Sequence, residues 1–111
     1  MRKIKLACVK CRHKDPSHET IDVKREKDSE GYVYASAFSH NDCYDILYCC
    51  YGMPVRALPY QYDFSEGYIC EDGTFVDRST AMKIASEAGQ LQSIYANGNY
   101  SELKSYMLKY D

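Results

Sequence analysis

The residues with the most chemical potential come early, in C-V-K-C-R-H-K-D-P-S-H, which places Cys8, Cys11, His13 and His18 in one short span. Zinc takes four nitrogen or sulfur ligands in a tetrahedron, and a Cys-x-x-Cys knuckle supplies two of them. Two features argue against such a site. Cys8 lies inside an alternating strand-like stretch, where Cys8 and Cys11 point to opposite faces, and the other cysteines lack the spacing of a second knuckle. A strand thiol followed by a solvated, histidine-bearing loop accounts for the same letters, so no metal is expected. A second pair, His40 and Cys43, has the i, i+3 spacing at which a base and a thiol nucleophile touch on a helix. Cys43 also begins an apolar helical stripe, and burial explains it equally well. Asp42, Asp45, Asp72 and Asp77 fall at caps and turns, where local backbone hydrogen bonds account for carboxylates. No glycine-rich phosphate loop, HExxH pair or nucleophile elbow appears. The expectation is a protein that is not an enzyme and carries no cofactor.

Anion binding is better supported. His40 and Asn41 fall at one expected helix N-terminus and Arg78 at another, and helix N-termini present free N–H groups and the positive end of a dipole. Arg56 lies in a tyrosine-rich stretch, where a guanidinium can hold a phosphate while an aromatic ring takes a base. The plain alternative is that Arg78 pairs with Asp77 or Glu87 on the surface. Tyrosine is abundant, with twelve residues against three Phe and no Trp. Its ring wants burial and its hydroxyl wants a partner, so it suits both half-buried cores and binding surfaces.

The elements that position these residues follow from periodicity. Lys3 to Cys11 alternates as a strand, with Ile4, Leu6 and Cys8 on one face. Arg12 to Glu30 is a charged insert, within which Ile21 and Val23 alternate as a short exposed strand. Tyr32 to Ala35 suits a pleated surface, so the chain is expected to open as a β-meander. Ser39 with Asp42 resembles a capping box, and Cys43, Ile46, Leu47 and Cys50 make one helical face that ends at Gly52 and Pro54. Met53 to Glu66 has no period and reads as a long loop. Tyr68–Cys70 and Thr74–Val76 flank a turn at Asp72-Gly73. Asp77 or Ser79 caps a helix with an inner stripe of Ala81, Ile84, Ala85 and Ala88, closed by Gly89. After a turn at 97–99, Ser101 is expected to cap a last short helix, with Leu103, Tyr106, Met107 and Tyr110 on one face. The reading is α+β: one domain over residues 1–111, with a small antiparallel sheet packed by two to three helices.

Composition sets the bounds. At 111 residues the chain can bury one modest core. Its 45% hydrophobic and 27% charged content exclude wholesale disorder. The net charge of −2 does not favour non-specific nucleic-acid binding. No apolar run is long enough for a membrane span, and M-R-K-I-K-L lacks a signal-peptide core. The six cysteines are therefore expected to be reduced thiols in a cytosolic setting.

Two stretches together resemble a known family. One is G-Y-V-Y-A-S-A-F-S-H-N-D-C-Y-D-I; the other, Gly67 to Gln90, is G-Y-I-C-E-D-G-T-F-V-D-R-S-T-A-M-K-I-A-S-E-A-G-Q. The chain resembles the phage Thoeris anti-defence sponges. The resemblance implies a phage protein in the cytoplasm of the infected bacterium that sequesters a cyclic nucleotide signal, a glycocyclic ADP-ribose or a cyclic oligonucleotide, without cleaving it. It further implies a homo-oligomer, dimer or hexamer, with pockets between protomers. His40 and Asp42 match in the first stretch. Gly67, Gly73, Phe75, Val76, Asp77, Arg78, Ala81, Ile84, Ala85, Ala88, Gly89 and Gln90 match in the second, many of them with turn, cap or stripe roles. The candidate ligand residues are His40, Arg56, Phe75, Arg78 and Gln90, with Tyr34 and Tyr62 as stackers. The charged insert departs from the family pattern, as does Thr74, where relatives often carry a basic residue. Two other readings stay open: an inhibitor acting by protein contact, such as an anti-CRISPR, and a small zinc-binding adaptor.

Overall fold

The computed structural model describes residues 2–109. Strand β1 (Ile4–His13) runs through the middle of a four-stranded sheet ordered β2-β1-β3-β4, in which every pairing is antiparallel. β2 is Val33–Ala37, β3 Tyr62–Cys70 and β4 Phe75–Asp77. A bulge lies between Ile4 and Leu6, whose partners on β3 are the adjacent Cys70 and Ile69. The extra residue shifts the alternation, so Ile4 joins Ala7, Val9 and Cys11 in the core. The grouping of Ile4 with Leu6 and Cys8 expected from strict alternation is therefore wrong. The opening is not a meander either, because β3 pairs with β1 and not with β2.

Helix α1 (Ile21–Glu26) replaces the short strand expected at Ile21 and Val23. The Thr20 hydroxyl accepts from the Val23 N–H at 3.3 Å, which caps the helix, and Val23 is fully buried while Ile21 is exposed. Helix α2 (His40–Tyr51) starts where expected, with the Ser39 hydroxyl accepting from the Asp42 N–H at 3.2 Å. Its inner face is Cys43, Tyr44 and Leu47; Cys50 is exposed. Gly52 closes it at φ 66°, the left-handed conformation that glycine adopts without steric cost. Asp77 caps helix α3 (Arg78–Glu87), which buries Ala81, Met82, Ile84 and Ala85.

The loop expected through Glu66 ends at Gln61, and β3 begins at Tyr62. Its alternation sets Tyr62, Phe64, Glu66 and Tyr68 on the core side and Asp63, Ser65 and Gly67 on the other. The charged and half-apolar residues of the first set conceal the strand period. Near the C-terminus, Ser93–Ala96 forms α4, and Ser101 caps no helix; a single 3-10 turn covers Ser105–Met107. Leu103 and Met107 are buried, Tyr106 is exposed, and Tyr110 lies outside the described residues. The core lies between one sheet face and α2 and α3, with Tyr68 fully buried and its hydroxyl donating to the Leu103 carbonyl at 3.1 Å. Among the described residues, no helix is long and apolar enough to cross a membrane.

Candidate functional site

Glu66 points from β3 to the helix-covered side, and three of the expected residues gather around it. Arg78, the first residue of α3, pairs with its Oε1. The Tyr44 hydroxyl on α2 donates to its Oε2 at 2.6 Å. Arg56, in the turn after α2, stacks its guanidinium 4.5 Å from the Tyr44 ring centroid and donates to the Asn41 side chain. His40, the first residue of α2, donates Nε2–H to the carbonyl of Gly67 at 2.8 Å and meets Tyr68 edge-on. Arg78 thus pairs with neither Asp77 nor Glu87. Two helices therefore begin beside one carboxylate, which accepts from Arg78 at the start of α3 and from Tyr44 one turn into α2.

The electrostatics follow from this packing. Burial pushes the Glu66 pKa up, but the Tyr44 hydroxyl, Arg78, His40 and Arg56 outweigh it and hold the carboxyl below its usual range. Burial lowers the His40 pKa, with the charge of Arg78 adding to the effect against the Gly67 carbonyl. Tyr44 is pushed up by burial and by its bond to Glu66. A shallow cavity of about 290 Å³ opens beside Arg56 and Tyr44, with Asp45 and Tyr48 on its rim.

The remaining candidates lie elsewhere. Tyr34 on β2 and Phe75 on β4 come together across the other face of the sheet, with ring centroids 6.0 Å apart. Lys10 lies 5.2 Å from the Phe75 centroid and 4.7 Å from that of Tyr32. The Tyr34 hydroxyl donates to Asp28 at 2.6 Å, which lifts its pKa to about 12. The sheet separates this strip from the Glu66 network, so the seven candidates do not line one pocket. Tyr62 is buried, its ring tilted against that of His13 with centroids 4.9 Å apart. Gln90 clamps the start of β1, its side-chain amide accepting from the Ile4 N–H and donating to the Ile4 carbonyl, both at 2.8 Å.

The thiols are tied into the core. Cys43 donates to the Ala7 carbonyl at 3.5 Å while His40 is held by Gly67, so no bond joins the two. Burial pushes the Cys43 thiol up to about 12. Cys8 and Cys11 are buried on opposite sides of β1, and no cluster of three or more His, Cys, Asp or Glu able to hold a metal occurs among the described residues.

Residues 5–108 match the family of the phage T4 y16D protein. The chain belongs to that family. It is a family of phage proteins, and the match spans every strand but the first residue of β1. No curated protein and no solved structure matches the chain. Within this family member, sequence reasoning missed Glu66 and Tyr44. The available signal was the alternation of Tyr62, Phe64, Glu66 and Tyr68, which marks Glu66 as a carboxylate on the covered face of a strand and in need of partners there.

Proposed function

We propose that this phage protein binds a small anionic nucleotide reversibly and returns it unchanged, withdrawing a nucleotide immune signal in the infected bacterium. The observation that carries the reading is the pairing of Arg78, the first residue of α3, with Glu66, with His40 and Arg56 held close enough for their charges to act on the same carboxylate. Arg78 pairs with the carboxylate while Arg56 lies over the Tyr44 ring that also bonds it, and Arg groups bind phosphate oxygens with a planar fork. Glu66 then serves as the internal anion that an incoming phosphate displaces. The nucleotide class comes from the resemblance of the Gly67–Gln90 stretch to the sponges. Release of unchanged ligand fits a site beside which the α2 thiol, Cys43, is buried and held protonated. Nanomolar affinity needs about 12 kcal/mol, and charge-assisted hydrogen bonds supply roughly 1.5–3 kcal/mol each, so several contacts must act together.

The test is to incubate the protein with cyclic ADP-ribose isomers and cyclic oligonucleotides, denature it and analyse what is released. Stoichiometric recovery of intact ligand supports the reading, with Arg78→Ala or Arg56→Ala weakening binding tenfold or more (about 1.4 kcal/mol). Product in multiple-turnover amounts means an enzyme. Failure to deplete any candidate favours an inhibitor acting by protein contact, a reading supported by the exposed Tyr48, Tyr60, Ile94 and Tyr106.

A further inference from the structure

A cavity of about 630 Å³ opens at the start of β1, away from every residue of the Glu66 network. This volume falls within the roughly 300–1,000 Å³ of small-molecule sites. Lys3, Lys5 and Lys109 line it against a single carboxylate, Glu71, and the three lysines form no ion pair among the described residues. Phe38, 65% exposed, contributes an aromatic wall.

The backbone that carries the lysines is fixed. Gln90 brackets Ile4, between Lys3 and Lys5, with two hydrogen bonds from its side-chain amide. The Gln90 carbonyl accepts from the Lys109 N–H at 2.8 Å, and the Lys3 carbonyl accepts from the Glu71 N–H at 2.9 Å. One glutamine therefore holds two chain segments, distant in sequence, so that their lysines line one space. Ammonium groups are compact point charges on flexible stems, and three of them are best matched by an anion of more than one charge with several acceptor oxygens. A phosphate ester has both properties, and its organic part has a ring to lie on.

We propose that this cleft binds a phosphate ester, with Lys3, Lys5 and Lys109 holding the phosphate, Phe38 packing against the organic group and Gln90 acting as the positioning residue. The site is separate from the one proposed above and stands without it.

The test is calorimetric titration of the full chain at low salt with ADP, inorganic pyrophosphate and adenosine. ADP is expected to bind saturably, pyrophosphate more weakly and adenosine not at all. The triple variant Lys3→Gln/Lys5→Gln/Lys109→Gln should bind ADP at least tenfold more weakly while melting close to the parent, because substitutions at exposed positions outside packed contacts change stability little. Phe38→Ala should weaken ADP but not pyrophosphate. The proposal is overturned by the absence of saturable binding of ADP and pyrophosphate at millimolar concentration. It is equally overturned if the triple variant binds as the parent does. Loss of ADP binding in Arg78→Ala alone assigns the anion to the Glu66 network and rejects the lysine cleft. Unchanged ADP binding in Phe38→Ala rejects the aromatic wall.

Discussion

Replacing Glu66 by Gln separates a structural role from a binding role, because the two respond in opposite directions. Glu66 accepts from Arg78 and Tyr44, and a hydrogen bond to a charged group contributes about 1.5–3 kcal/mol when well shielded. The side chains of Glu66 and Arg78 are 33% and 22% exposed, so solvent screening reduces the Arg78 contribution to about 1 kcal/mol. Glutamine keeps one acceptor oxygen and the shape, leaving a net cost of about 1–2 kcal/mol. At about 4 °C per kcal/mol for a domain of this size, Tm should fall by about 4–8 °C. If Glu66 occupies the place of a ligand phosphate, its neutralisation removes a repulsion between like charges a few ångström apart, on the order of 1 kcal/mol in a well-hydrated site. Affinity for an anionic nucleotide should then rise by roughly fivefold to tenfold. Thermal denaturation with and without ligand reads both quantities in one series. A lower Tm accompanied by unchanged or weaker nucleotide affinity would refute the displacement argument and leave Glu66 as a purely structural anchor for Arg78.

Other consequences follow from the same geometry. Glu66 has a lowered pKa in the fold, so its contribution is present above the ordinary carboxylate value and lost as pH falls; half-buried His40, also lowered, adds loss of stability from about pH 6.5 downward. Urea denaturation at pH 7, 5.5 and 4 should show stability falling at each step, with the lower step reduced in Glu66→Gln. Cys49 and Cys50 are exposed and the other four thiols are buried, so a thiol reagent at neutral pH should label two cysteines quickly and four only on unfolding. Gln90→Ala removes two hydrogen bonds from Ile4 and should cost about 1–3 kcal/mol, checked by the denaturation midpoint at constant m-value.

Local rules located the elements that carry strong local signals. Ser39 and Asp77 cap helices because a side-chain oxygen three residues before a free N–H has one favourable use. Gly73 turns the β3–β4 hairpin at φ 87° for a similarly local reason. Where tertiary packing decides, the letters mislead. Ile21 and Val23 alternate like a strand, yet Thr20 caps a helix there and only Val23 reaches the core. A one-residue bulge after Ile4 reassigns Ile4 from one face of β1 to the other, and no residue in that stretch announces it. The candidate site was legible in part for the same reason. His40 and Arg78 are readable because they begin helices. Glu66 is not, because its importance comes from Arg78 and Tyr44, which the fold brings to it from α3 and α2.

Gly67 shows how closely the two faces of the sheet depend on each other. Its carbonyl holds His40 on the helix side, while its missing side chain leaves room for Phe75 on the open side. A Cβ at this position would lie against the Val76 carbonyl oxygen and 2.5 Å from Cζ of Phe75. The ring can swing away, but the carbonyl belongs to the strand paired with β3, so the sheet itself must shift. Gly67→Ala should therefore cost about 1–3 kcal/mol, as overpacking does. At about 4 °C per kcal/mol, Tm should fall by about 4–12 °C. Gly67→Ala combined with Phe75→Ala tests which contact governs. If the ring were the obstacle, the double variant would recover the Gly67→Ala loss beyond what Phe75→Ala itself costs. With the carbonyl as the obstacle, the losses add. Proton NMR of His40 in Gly67→Ala supplies the second reading: a displaced Gly67 carbonyl should change the His40 titration, whereas an unchanged titration would place the strain wholly on the open face.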